Sequence, residues 1–343
     1  MSTLHEWFPH LKSPVIVSAP MRGASGANLT AAVTNAGGLG FLGAGWDYSG
    51  LTTLIQETLT RLEHPPSPTE PLPIGVGFLI FKGGLQLALA SIVPYRVSAI
   101  WLFGAKDPSQ LQEWISTMQD GAPWAKIFVQ VGSPEEARVA VGFGADAIVV
   151  QGGADAGGHG LREERGSCMV LVPEVLNVMH SMKKDKIPIL AAGGIVDGRG
   201  VASVLSLGAE GAVMGSRLLL AEESECTDAQ KEYIKNITSG PLTTVRTRLY
   251  DDLRETSFWP EQYEGRAYRN ESYKEYEEGV GLGELKAEYA AAEKAQNWDR
   301  LTVFVGTAVG MINTIEPTGK ILEDAREQAK RQLQRAANLI NFN

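Results

Sequence analysis

The sequence predicts an α/β fold, a (β/α)8 TIM barrel with a smaller inserted helical segment near the C-terminus. Three observations predict it. Eight short apolar runs, each bounded by glycine or proline, recur through the first two-thirds of the chain. Amphipathic stretches of helical period fall between them. After Leu220 the pattern breaks, and residues 222–300 become charged and helix-rich. Strict alternation of strand and helix implies a parallel sheet. Eight repeats favour a closed barrel over an open, doubly wound sheet.

The strand candidates are residues 15–19, 39–42, 74–78, 99–103, 127–131, 147–151, 188–192 and 211–214. Each is a run of four or five mostly apolar residues, as expected of strands buried on both faces. Helical periodicity covers 28–36, 51–62, 108–118, 134–142, 173–182 and 198–207. Ser133-Pro134-Glu135-Glu136 supplies a cap, a proline at the first helical position and two acids in the first turn. Residues 64–73, with five prolines, form a rigid loop. The barrel is assigned to residues 1–221 plus 301–343, and 222–300 to a helical segment over its mouth. The aromatics of that segment, Trp259, Tyr263, Tyr268, Tyr273 and Tyr276, read as exposed, which would suit a homodimer. Residues 304–310 form a small-residue turn near the mouth, and 320–339 close the chain as an amphipathic helix with Leu322, Ala325, Ala329, Leu333 and Ala336 on one face.

With 343 residues and 44% hydrophobic content, a large core can be buried. A net charge of −9 with dispersed acids and bases argues against nucleic acid or an anionic membrane surface as the main partner. No run of about 18 apolar residues is present to span a membrane. The N-terminus lacks a basic run and an apolar signal core, and the C-terminus lacks a peroxisomal tripeptide. Cys168 and Cys226 have no CxxC partner and no Cys/His cluster, which disfavours a metal site or disulfide framework and suits a cytoplasmic setting.

Three segments carry chemistry. The first pairs the turn Ala192-Gly193-Gly194-Ile195 with Met214-Gly215-Ser216, each following an apolar strand. Glycines permit positive φ and close approach of backbone to ligand. Free N–H groups at such turns bind anions, and Ser216 can add a hydroxyl. In a barrel these loops follow strands seven and eight, where phosphate sites are common. No GxGxxG fingerprint is present in either. The second segment runs from Gln151 to Gly160, with His159 after Gly157 and Gly158; a neutral imidazole so placed can take a proton near neutral pH. The remaining histidines, His5, His10, His64 and His180, do not end a strand. The third is Ala19-Pro20-Met21-Arg22 at the end of the first strand, where backbone and a polarisable thioether can face a flat ligand. Gly75 and Gly77 allow close approach at strand three, and Gln130 is a polar contact at the end of strand five.

Taken together these segments resemble the nitronate monooxygenase family, formerly the 2-nitropropane dioxygenases. The resemblance runs in order from about residue 11 to 320, and the Gly157-Gly158-His159 element is its most specific part. It implies an FMN-dependent barrel with a smaller helical substrate domain. It also implies oxidation of alkyl nitronates by O2 to carbonyl compounds and nitrite without NAD(P)H, with reach to nitroalkanes and nitro acids. Carried over, His159 is the base or substrate-orienting group. Gly193, Gly194, Gly215 and Ser216 hold the FMN phosphate, and Ala19, Met21, Gly77, Gln130, Gln151, Gly157, Gly158 and Met214 belong to the cofactor site. Two departures stand out: the loop between Gln151 and His159 is one residue longer than the family pattern, and Arg22 is a cation where a small residue is expected, which would favour a carboxylated substrate. A flavin-dependent enoyl-thioester reductase, a flavin-free phosphate-binding barrel isomerase or lyase, and a flavin-binding protein without turnover share most of these features.

Overall fold

A computed structural model describes residues 2–67, 69–163 and 166–340. Eight parallel strands form one sheet: β1 Val15–Ser18, β2 Phe41–Gly45, β3 Leu72–Leu79, β4 Val97–Phe103, β5 Lys126–Val131, β6 Ala147–Gln151, β8 Ile189–Ala192 and β9 Gly211–Met214. Neighbours in the sheet follow chain order from β2 to β6, then β8, β9 and back to β1. A parallel bridge between Val17 and Leu39, carried by Ser18 N–H to Leu39 O at 3.1 Å and Leu39 N–H to Ile16 O at 3.1 Å, nearly closes the ring between β1 and β2. All eight expected strands are present in the expected order.

The barrel interior is filled at its lower end. Phe41 packs edge-on to Trp101 and Phe128, with centroids 5.2 and 5.7 Å away, and Phe8 from the N-terminal segment plugs the bottom against Phe128. Gly75 makes room for this plug, since a methyl group there would lie 2.2 Å from the Phe41 ring. The larger core lies between strands and outer helices, where Ile100, Ile127, Ile148 and Val150 meet Ile115, Ala137 and Val175. The C-terminal helix Thr318–Leu339 packs on the helix Gly198–Ser206. It buries Ile321, Leu322, Ala325 and Ala329, whereas Ala336 is exposed.

Local expectations are corrected at four points. The helix expected from residue 173 begins at Cys168, so Pro173 lies inside it. At its sixth position the proline forgoes a single intrahelical hydrogen bond near the N-terminus. A helix at Leu85–Ile92 lies between β3 and β4. The insertion is not purely helical: it contains β10 Thr244–Thr247 and β11 Tyr263–Tyr268, which pair antiparallel with each other, and β11 pairs with β7 Gly158–Leu161. This three-stranded sheet fastens the insertion to the loop bearing His159. Trp259 and Tyr263, expected to be exposed, are buried against Phe81 and Phe103; of the five aromatics, Tyr276 is exposed. No helix among the described residues is long and apolar enough to cross a membrane.

Candidate active site at the barrel mouth

A cavity of about 460 Å3 opens at the C-terminal ends of the barrel strands, within the range of small-molecule sites. Its wall brings together Ala19, Met21, Gln130, Gln151, Gly157, Gly158, His159, Gly193, Gly194, Gly215 and Ser216, drawn from five strand ends. Two expected wall residues lie elsewhere. Gly77 is packed under Pro20, whose ring would be 2.2 Å from an added methyl, and borders only a small adjoining void. Met214 has a fully buried side chain in the strand–helix layer, and its carbonyl accepts Ala19 N–H at 3.0 Å. A strand glycine signals a close neighbour without saying which one, and here it is protein.

The glycine turns leave backbone N–H groups open to the cavity. Gly193 and Gly194 have φ of 111° and 73°, a region that side chains avoid. A methyl on Gly193 would lie 2.8 Å from Gly152 O. Among the described residues, the N–H groups of Gly193, Gly194 and Ile195 reach no protein acceptor. Across the mouth, Gly215 faces Met21 Sδ, which would lie 3.8 Å from an added methyl. Ser216 Oγ accepts Gly306 N–H at 2.9 Å, leaving its own proton free to donate. Gly306 in turn packs against Gly157 and Asp155, so the late turn expected near the mouth locks the histidine loop.

One wall carries a chain of amides. Trp101 Nε1–H donates to Gln130 Oε1 at 3.0 Å, and Gln130 Nε2–H donates to Gln151 Oε1 at 2.7 Å. This fixes both amides and leaves Gln151 Nε2 as a donor.

His159 is held at one ring face and at its Nε2 edge. Its ring stacks on Trp259 at 3.8 Å and 8°, with Phe304 tilted beside it at 5.2 Å. Nε2 lies 2.9 and 3.0 Å from the two carboxylate oxygens of Asp251, a residue 1% exposed. Burial pushes the imidazole below its ordinary value; Asp251 opposes this, and the Arg254 and Arg246 charges add to the lowering. The balance favours a neutral ring at neutral pH.

Two guanidinium groups border the same cavity. Arg22 lies over Trp46 at 4.2 Å, and Arg254 lies 5.2 Å from the Phe304 ring centre. Neither has a carboxylate within ion-pair distance among the described residues. Burial and the charge of Arg254 push Arg22 below its ordinary value, with Asp47 opposing. An arginine that repels another across a cavity sets up local positive potential despite the net negative charge of the chain. Asp251, Arg254 and Trp259 escape sequence reasoning because they come from the insertion, about a hundred residues beyond the loop they serve. Among the described residues no cluster of three His, Cys, Asp or Glu side chains could hold a metal ion.

Known proteins share this architecture. The sequence profile of the nitronate monooxygenase family matches residues 92–327. Nitronate monooxygenase npaC of Metarhizium robertsii is 36% identical, over 94% of this chain and 92% of its own. A nitronate monooxygenase of Neurospora crassa is 34% identical, over 98% and 94%. Among solved structures, FabK from Thermotoga maritima superposes with a TM-score of 0.78 at 25% identity, covering 99% of both chains. The nitroalkane oxidase of Streptomyces ansochromogenes superposes with a TM-score of 0.76 at 24% identity over 98% of this chain and all of that one, a likeness of fold. On the profile match and two relatives aligned over nearly their full length, the chain belongs to the nitronate monooxygenase family of oxidoreductases.

Proposed function

We propose that this protein is an FMN-dependent enzyme that oxidises alkyl nitronates with O2 to carbonyl compounds and nitrite, and that extends to nitroalkanes and nitro acids. The observation that carries the reading is the His159 imidazole, held by Asp251 and Trp259 on the wall of a cavity that Arg22 and Arg254 also border. A nitronate is an anion, and its neutral precursor needs a base.

The residues fit the cofactor. The unpaired N–H groups at Gly193, Gly194 and Ile195, with Gly215 and the Ser216 hydroxyl, would take the phosphate. Ala19, Met21, Gln151 and Gly158 would face the ring or ribityl chain, with Gln130 holding Gln151 in place and Gly157 shaping the loop. Gly77 and Met214 would act indirectly, by seating Pro20 and Ala19. Bound there, FMN would supply the redox chemistry that couples substrate oxidation to O2. The protein's own part is to orient the substrate, exclude water under the insertion and move a proton. With a nitroalkane, His159 takes the proton from the carbon beside the nitro group, and the electron pair stays on the substrate as the nitronate.

The test mixes the purified protein with propyl-2-nitronate, first without and then with O2, and without NAD(P)H. Flavin bleaching followed by reoxidation and nitrite release is the expected result. A flavin that bleaches only with NAD(P)H would move the assignment to a reductase, and a colourless protein that FMN cannot reconstitute would remove the flavin. His159→Asn should depress nitroalkane turnover about 10²-fold or more, while turnover of preformed nitronate stays much closer to normal. Equal losses on both substrates would remove proton abstraction from His159.

A further inference from the structure

The proton-accepting atom of His159 is fixed by a residue of the insertion. Asp251 lies in the helix Leu249–Leu253. Its two carboxylate oxygens converge on a single nitrogen, Nε2, at 2.9 and 3.0 Å. The carboxylate is itself anchored, since Thr256 Oγ1–H donates to Asp251 Oδ1 at 3.1 Å and Thr256 N–H donates to Asp251 O at 2.7 Å. The imidazole cannot turn away easily. Trp259 covers one face, Phe304 leans on it, and the Cε1–Nε2 edge lies against β11 at Gly265, where an added methyl would be 3.5 Å from both atoms. Nδ1 has no hydrogen-bond partner among the described residues.

A carboxylate accepts and does not donate. The neutral imidazole beside it must therefore carry its proton on Nε2, which leaves the Nδ1 lone pair free. We propose that Asp251 is a positioning residue that holds His159 in the Nε2–H tautomer, making Nδ1 the atom that receives the substrate proton. This rests on His159 acting as the base. In the step, the bond from the substrate carbon to hydrogen breaks and a bond from Nδ1 to that proton forms. The electron pair stays on the nitro compound as its nitronate. The imidazolium so formed shares its Nε2–H with the Asp251 carboxylate until the Nδ1 proton passes to solvent. The charged groups facing the ring are Asp251 and Arg254 from and after that helix and Arg246 from β10, itself paired with Glu264 at 3.0 Å. Of these, Asp251 alone favours the imidazolium. The insertion thus supplies half of a two-residue proton-transfer unit whose other half sits on the barrel loop.

The tautomer can be read without any turnover. In the flavin-loaded protein with 15N-labelled histidine, long-range proton–nitrogen correlation at pH 7.5 should give His159 the Nε2–H pattern, assigned by its absence in His159→Asn. Asp251→Asn can donate from its amide to Nε2, and the pattern should shift toward Nδ1–H. In that variant nitroalkane turnover should fall by about tenfold or more and nitronate turnover much less. The limb of kcat/KM that rises with pH should move to lower pH, because the group that favours the imidazolium is gone. Asp251→Glu should recover part of the loss. An Nδ1–H pattern in the unaltered protein would overturn the proposal, and so would an Asp251→Asn variant with unchanged tautomer and unchanged nitroalkane turnover. If the unaltered protein oxidises no nitronate, the proposed activity falls, whereas the tautomer pattern still decides whether Asp251 sets the ring.

Discussion

At the scale of single residues, the cavity wall offers an anion two kinds of group, free backbone N–H groups and charged side chains. Gly193 belongs to the first kind. Its φ of 111° and the 2.8 Å approach to Gly152 O leave no place for a side chain. Gly193→Ala should cost about 1–3 kcal/mol locally and displace the unpaired N–H groups. The expected outcome is a folded barrel by circular dichroism that purifies with little flavin absorbance. Flavin at one per chain in that variant would take the phosphate away from this turn. Arg22 and Arg254 belong to the second kind. Replacing either with methionine should raise KM for a carboxylated nitronate about tenfold or more, the worth of one charge-assisted hydrogen bond, with a smaller change for propyl-2-nitronate. Equal effects on the two nitronates in steady-state kinetics would show that the pair senses only the reacting group.

At the scale of elements, the small sheet explains why the histidine loop keeps its shape. Arg246 on β10 is nearly buried and donates to Gly153 O, Gly160 O, Leu161 O and Glu264 O at 3.0–3.1 Å, and to Glu264 Oε1 at 3.0 Å. Arg266 on β11 adds Ala154 O at 3.0 Å. A planar fork suits several carbonyls at once, and an ammonium group cannot span them. Arg246→Ala leaves Glu264 as a buried charge without this partner and should lower stability by about 3–5 kcal/mol, measured by urea unfolding. Arg246→Lys should recover only part of it. The eight barrel strands were legible in the sequence because buried parallel strands are nearly continuous apolar runs, and the two glycine turns because each directly follows such a run. The three-stranded sheet was not. Thr244-Val245-Arg246-Thr247 and the segment 263–268 are short and hold few β-branched apolar residues, and their partner, Gly158-His159-Gly160-Leu161, has no strand signature. Trp259 and Tyr263 look exposed in a charged segment because Phe81, in the turn after β3, and Phe103, at the end of β4, which bury them, are far away in sequence. His159 could be singled out by its glycines, whereas Asp251 stands in an ordinary acidic helix.

At the scale of the whole molecule, the two ends of the barrel share one titration behaviour. His159 at the mouth and His10 at the base, whose Nε2 is 3.2 Å from Gly38 O, are both pushed below their ordinary value by burial. In the unfolded chain each returns to about 6.5. Between the folded and unfolded values the unfolded state binds more protons, so stability is fully present above about pH 6.5 and is lost as pH falls toward the folded values. The limiting slope is about 1.4 kcal/mol per pH unit for each histidine. Glu210 works the other way: burial raises its carboxyl, so its contribution is present in acid and lost as pH rises through the folded value. Its window begins near the ordinary carboxylate range, about 4.3, and extends upward from there. Where the histidines dominate, urea unfolding should show little change between pH 7.5 and 6.5 and a clear loss of stability between pH 6.5 and 5.5. Replacing His10 and His159 together with asparagine should flatten that dependence even though it lowers stability at pH 7.5. A dependence that survives in the double variant would place the acid sensitivity elsewhere in the fold. One that disappears in His159→Asn alone would put it at the mouth, where desolvation of the imidazole would then set the acid limit of the native state.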